Sequence, residues 1–187
     1  MCLVCYLSTD REIKNIPFDE NNPKFNITRT DERFSCFTKK FVYYCGSHTK
    51  CGCGFGYMGI TEELLKQTEQ ELLKGNLSSE TEMQWWNHSH PPLETLDEFQ
   101  NVAKEILAAH KDNNDLCRLI EKTVSVGFPC ELTICWNGNE NNPIQGEYDI
   151  DIFREKILID FETAYSTGTD KILFYTIHSS QNNNQQT

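Results

Sequence analysis

An α+β fold, with a mainly antiparallel sheet and two to three helices packed on one face, follows from three features of the sequence. Short apolar or alternating runs open the chain, helical periodicity fills its middle, and β-branched and aromatic runs close it. Segregated strands and helices favour this arrangement, whereas strict β-α-β alternation would favour a parallel sheet. A length of 187 residues suits one domain, expected over residues 1–180, whose core needs no disulfide staples. Residues 181–187, Gln-Asn-Asn-Asn-Gln-Gln-Thr, are a low-complexity polar tail expected to be disordered.

Each element has its own warrant. Cys2 to Ser8 is an apolar run stopped by Thr9-Asp10, a first strand. Residues 9–24, rich in Asp, Glu, Asn and Pro, read as a loop. Phe25-Asn26-Ile27-Thr28 alternates as a half-buried strand does, and Phe41 to Cys45 is aromatic and β-branched. A helix begins at Thr61, a capping residue followed by Glu62 and Glu63 at the positive dipole end, and Gly75 ends it. Thr95 and Glu98 form a capping-box pattern for a second helix, whose apolar stripe is Leu96, Phe99, Val102, Ala103, Ile106 and Leu107. Asn113-Asn114 is expected to break that helix, leaving His110 near its C-terminal dipole and Leu116 to Lys122 as a short third helix. After Pro129, strands are expected at Glu131 to Trp136, Lys156 to Phe161 and Lys171 to His178, with Asn137-Gly138 as a turn.

Composition narrows function. The net charge of −11 repels phosphate backbones and anionic membranes, so neither nucleic acid nor membrane is an expected partner. The longest apolar runs fall far short of the ~20 residues of a membrane span. The N-terminus lacks the basic n-region of a signal peptide, which points to the cytoplasm, where thiols stay reduced. Nothing in the sequence identifies a protein partner.

The densest chemistry lies in residues 46–59, Gly-Ser-His-Thr-Lys-Cys-Gly-Cys-Gly-Phe-Gly-Tyr-Met-Gly. Clustered glycines mark a backbone that bends tightly, takes positive φ or lets another group approach closely. Gly54 to Gly59 formally matches G-x-G-x-x-G, but no β-α-β alternation and no acid-bearing second strand follow, so a dinucleotide cradle is not expected.

Cys51-Gly52-Cys53 keeps two sulfurs close together. That spacing suits a soft metal, a strained oxidising disulfide, or a nucleophile with a resolving partner. Cys2-Leu-Val-Cys5 is a C-x₂-C pair, a zinc-like spacing, but on a strand the two side chains point to opposite faces. One of Cys2 and Cys5, with Cys51, Cys53 and His48, would make a tetrahedral S₃N site, with zinc the expected ion. Cys36, Cys45, Cys117, Cys130 and Cys135 read as small buried hydrophobes. Cys2 could also serve as an N-terminal nucleophile if Met1 is removed, its amine acting as base. Trp85-Trp86-Asn87-His88-Ser89-His90 reads as a tryptophan-anchored loop with solvated histidines.

The run from Val42 through Phe55, with Met1-Cys2 and Cys135-Trp136-Asn137-Gly138, resembles a small bacterial family marked by Gly-Ser-His-x-x-Cys-Gly-Cys-Gly-Phe. The resemblance spans most of the chain and implies no activity. Three classes therefore stand at this stage: a structural or regulatory zinc site, a thiol-redox or cysteine-nucleophile enzyme using Cys51 and Cys53 or Cys2, and an interaction module in which the loop is a tight turn.

Overall fold

The structure, a computed structural model, describes residues 2–32, 34–56, 60–87, 93–138, 140, 144–151 and 172–178. Its strands are β1 (Leu3–Thr9), β2 (Asn26–Thr30), β3 (Phe41–Gly46), β4 (Cys130–Trp136), β5 (Ile144–Asp151) and β6 (Ile172–His178). Its helices are α1 (Glu62–Leu73), α2 (Ser79–Asn87) and α3 (Leu96–Val124). The strands form one sheet in the order β2-β3-β1-β4-β6-β5, antiparallel throughout except for the β5–β6 pair at one edge. This is the α+β class that the segregated pattern predicts.

β1 lies between β3 and β4, and every one of its residues is buried. Alternation then divides its side chains. Leu3, Cys5 and Leu7 face α3 together with Tyr43, Cys45, Leu132, Ile134, Tyr175 and Ile177. Val4 and Tyr6 face the other way, with Val42, Cys135 and Ile172, under Phe34 and Phe37. Among the described residues, that second face is covered by a loop. Glu131, 3% exposed, fastens the loop by accepting from the backbone N–H groups of Thr38 (2.9 Å) and Lys39 (3.3 Å) and from the Thr38 hydroxyl.

α1 starts where expected. The Thr61 hydroxyl accepts from Leu64 N at 3.1 Å, and Gly75 takes φ +107° just beyond the helix end. The Thr95–Glu98 capping box is formed in both directions at the start of α3.

Three sequence expectations are corrected. Asn113-Asn114 does not break α3, which runs unbroken for 29 residues, roughly 44 Å at 1.5 Å per residue. The poor helix propensity of two asparagines is a weak local preference. It is overridden because Leu116, Ile120 and Val124 pack against the sheet beyond them. His110 is consequently a mid-helix residue and not a C-terminal dipole partner. Trp85 is buried as expected, but on helix α2, where its Nε1 donates to Thr68 Oγ1 at 2.9 Å. Ser78 caps that helix by accepting from Thr81 N at 3.2 Å. Trp85 joins Leu64, Leu65, Phe99 and Ile106 in a second core between α1, α2 and the N-terminal half of α3. β5 is a strand that the sequence reading omits. The strand expected at Lys156 to Phe161, His88 and His90, and the tail 181–187 lie outside the described residues.

Leu116, fully buried on α3 against the sheet, should be far more sensitive than the exposed Thr95 cap. Leu116→Ala should cost about 2–5 kcal/mol and Thr95→Ala about 1 kcal/mol in urea unfolding midpoints.

Candidate metal centre

The thiol loop is built by close packing. After β3, a tight turn forms in which Lys50 N donates to Ser47 O at 2.9 Å and Ser47 N donates to Cys51 O at 3.1 Å. Lys50 takes φ +71° to close it. Ser47 Oγ donates to the same Cys51 carbonyl at 2.7 Å. Gly52 to Phe55 then make one 3₁₀ turn.

Three glycines are required here for space, the first being Gly46, where a Cβ would lie 2.7 Å from the Lys50 carbonyl oxygen. A Cβ on Gly52 would lie 2.7 Å from the Leu3 carbonyl oxygen. A Cβ on Gly54 would meet the Ser47 hydroxyl and lie 2.8 Å from Thr49 Oγ1. Positive φ occurs elsewhere, at Gly75, Gly127 and Gly138. Gly46, Gly52 and Gly54 therefore serve close approach, and Gly52 is what lets the loop rest on the start of β1.

That contact assembles the site. Cys2, Cys51 and Cys53 have sulfur atoms all within 4.8 Å of one another. Leu3 N donates to Cys53 Sγ at 3.1 Å. The Thr49 hydroxyl lies 3.5 Å from Cys51 Sγ. Cys2 is exposed while Cys51 and Cys53 are half-buried, so the cluster opens to solvent on the Cys2 side. The Cys2 backbone is tied into the sheet, its carbonyl accepting from Asn137 N at 2.8 Å.

The thiols differ chemically. Burial disfavours the Cys51 thiolate, but donors from the Thr49 hydroxyl, the Cys53 backbone N–H and the Cys53 and Cys2 thiols outweigh it, and its pKa falls below the ordinary value. Burial pushes the Cys53 thiol up to about 12, opposed by the Leu3 N–H and reinforced by neighbouring Cys51. The pKa of Tyr44 is raised by burial and then by the negative charge of Cys51, and its hydroxyl donates to the Lys50 carbonyl at 3.4 Å.

The other sequence candidates occupy different places. Cys5 is fully buried under α3, paired in register with Cys45, as strand alternation requires once Cys2 faces the loop. Burial first, and then Cys45, raise its pKa. His48 turns away from the sulfurs toward α3. Its Nδ1 lies 2.7 Å from Asp112 Oδ2, its backbone N–H donates to the same oxygen at 2.5 Å, and its Nε2 lies 3.1 Å from Glu105 Oε2. Carboxylates only accept, so satisfying both contacts takes the imidazolium form. All nine cysteines are free thiols.

Asp112 and Asn113 are the residues that sequence reasoning missed. Asp112 is 1% exposed, and its second oxygen accepts from Phe25 N at 2.6 Å. Asn113 Nδ2 donates to the carbonyls of Phe55 and Ala109, both at 3.0 Å. The signal for them was present in the sequence: two polar residues on the face that continues into Leu116 and Ile120.

No protein-family model, curated protein or solved structure matches this chain. Among the described residues, no helix is long and apolar enough to cross a membrane.

Two outcomes follow from this geometry. Gly52→Ala must separate the loop from the Leu3 carbonyl, so it should cost more than the ~1 kcal/mol of an ordinary glycine-to-alanine difference and speed alkylation of Cys51. Equal unfolding midpoints and equal alkylation would show that the contact is passive. The second outcome concerns pH. The Asp112 hydrogen bond raises the His48 pKa above its ordinary 6.5; burial opposes this, and the Asp112 charge and Glu105 add to the rise. The stability from this clamp is full below the unfolded value and is lost as pH rises through the raised folded one. The stability advantage of wild type over His48→Gln should therefore shrink as pH rises above about 6.5 in paired urea titrations.

Proposed function

We propose that this protein binds a soft transition metal, zinc above all, through Cys2, Cys51 and Cys53 at a structural or regulatory site. The observation that carries this reading is the convergence of three sulfurs from two distant segments. Three thiols at mutual distances within 4.8 Å match the edge of a metal–thiolate polyhedron, for which Zn–S bonds are ~2.3 Å. Soft thiolates select zinc or Cu(I) over hard cations. The N–H of Leu3 aimed at Cys53 Sγ is the kind of hydrogen bond that tunes a ligating sulfur. His48 has both ring nitrogens committed to carboxylates, so the fourth position of a tetrahedral ion falls to water or an external donor. Such an ion would staple the start of β1 to the loop after β3. A cytoplasmic setting, with reduced thiols, suits this use.

A second reading, thiol chemistry at Cys51, is favoured by one specific asymmetry: Cys51 is biased toward thiolate while Cys53 beside it keeps its proton. That is the division of labour between a nucleophile and a resolving thiol.

Metal analysis of the protein purified untagged under reducing conditions separates the two. The metal reading expects about one equivalent of zinc, lost in Cys51→Ser and on chelator treatment, with alkylation of Cys2, Cys51 and Cys53 accelerating together on removal. No stoichiometric metal, together with rapid alkylation of Cys51 alone, would favour the thiol reading instead.

A further inference from the structure

We propose that Asp112 is the positioning residue of the thiol site: a buried carboxylate on α3 that holds the 46–53 loop where its two sulfurs meet that of Cys2. This rests on reading the three thiols as a metal site.

A carboxylate at 1% exposure, in the middle of a helix where Asp is a poor helix former, is unfavourable unless donors satisfy it. Here the donors come from neither α3 nor solvent. They are the N–H of Phe25, leading into β2, and the N–H and ring Nδ1 of His48 in the thiol loop. Asn113, the next residue, donates to the carbonyl of Phe55 at the far end of that loop. Two adjacent helix positions thus grip the chain on either side of Cys51 and Cys53.

The middle of the loop is held by β1, through Gly52 on the Leu3 carbonyl and Leu3 N on Cys53 Sγ. Cys2 is next to Leu3, so a loop fixed at all three points has its sulfurs registered against Cys2. Asp112 lies outside the sulfur cluster. It acts through His48, whose ring is held on the other side by the more exposed Glu105.

A site assembled before the ion arrives binds more tightly than one the ion must assemble, because the ordering cost falls on folding and not on binding. Partners behind the ligands typically shift metal affinity by about 10–100-fold. The buried leg should therefore matter and the exposed leg should not, since exposed ion pairs contribute little.

The test uses full-length wild type, Asp112→Asn, His48→Gln and Glu105→Gln, titrated with Cd(II) against a competing chelator. The thiolate-to-metal charge-transfer band is the readout, and circular dichroism reports the helix content. A parallel measurement on metal-free protein follows alkylation of Cys51 by peptide mass spectrometry. Asp112→Asn, at wild-type helix content, is expected to bind Cd(II) at least ~10-fold more weakly and to alkylate faster at Cys51. Glu105→Gln should stay within about fivefold of wild type, and His48→Gln should fall between the two. A folded Asp112→Asn with wild-type Cd(II) affinity and wild-type alkylation overturns the proposal. If Asp112→Asn fails to fold, His48→Gln decides: weaker binding upholds the role and unchanged binding removes it. If wild type itself takes up no Cd(II), the metal reading fails. Positioning then stands or falls on whether Asp112→Asn, or His48→Gln where the former does not fold, speeds Cys51 alkylation.

Discussion

A carboxylate buried away from water must be met by donors, and the Asp112 carboxylate is met by the backbone of two segments that the β2–β3 pairing, with Asn26 opposite Gly46, brings side by side. The chain entering β2 and the chain leaving β3 both arrive at the centre of α3. The helix can present Asp112 there because Leu116, Ile120 and Val124 continue the same i, i+4 stripe and are buried against the sheet. The apolar half of the stripe sets the helix on the sheet, and the polar start of it receives the loops. Sheet edge, thiol loop and long helix therefore share one anchor.

The thiol cluster depends on a second, simpler constraint. Side chains alternate along β1, so Cys5 goes under α3 beside Cys45 and Cys2 goes elsewhere. Cys2 sits one residue before the first residue of β1, and the hydrogen bond from Asn137 N extends the β1–β4 pairing to its carbonyl. Its position is thus set by main-chain pairing. The loop reaches it only because Gly52 has no Cβ where the Leu3 carbonyl passes. A single glycine between the cysteines is what this packing requires.

Much of this was legible in the sequence. The strands β1, β3, β4 and β6, the Thr61 cap and the capping box at Thr95 follow from local chemistry that the tertiary structure leaves intact. The glycine spacing pointed to a backbone requirement, positive φ or close approach, of which the described loop glycines show the second, and the opposite facing of Cys2 and Cys5 was implied by alternation alone. What was not legible depends on partners distant in sequence. Asn113 reads as a helix breaker until Phe55 supplies the acceptor for its amide 58 residues away. At the start of the nine-residue α2, Glu71 of the preceding helix accepts from Ser78 N at 2.7 Å, a tie between helices that no local pattern announces. β5 carries Glu147, Asp149 and Asp151, which suit the edge of a sheet but hide a strand from a reading based on apolar runs. His48 looked like a ligand by proximity in sequence to Cys51, but its ring is turned by two carboxylates of α3.

The same donors that shape the site determine how it holds protons. Three sulfurs this close cannot all be thiolates without a cation, because like charges at such separations raise one another's pKa. The donors resolve this unequally. The Thr49 hydroxyl, the Cys53 N–H and the adjacent thiols favour charge on Cys51, while burial and the neighbouring Cys51 keep the proton on Cys53. A metal must displace protons to use these ligands, so occupancy of such a site is coupled to pH and strengthens as pH rises. Cys51, whose thiolate is favoured, would be the natural first contact for a soft cation. Cys53, pushed up to about 12, would release its proton only with such a cation's charge beside it. The Leu3 N–H is already in place to stabilise the thiolate that then forms.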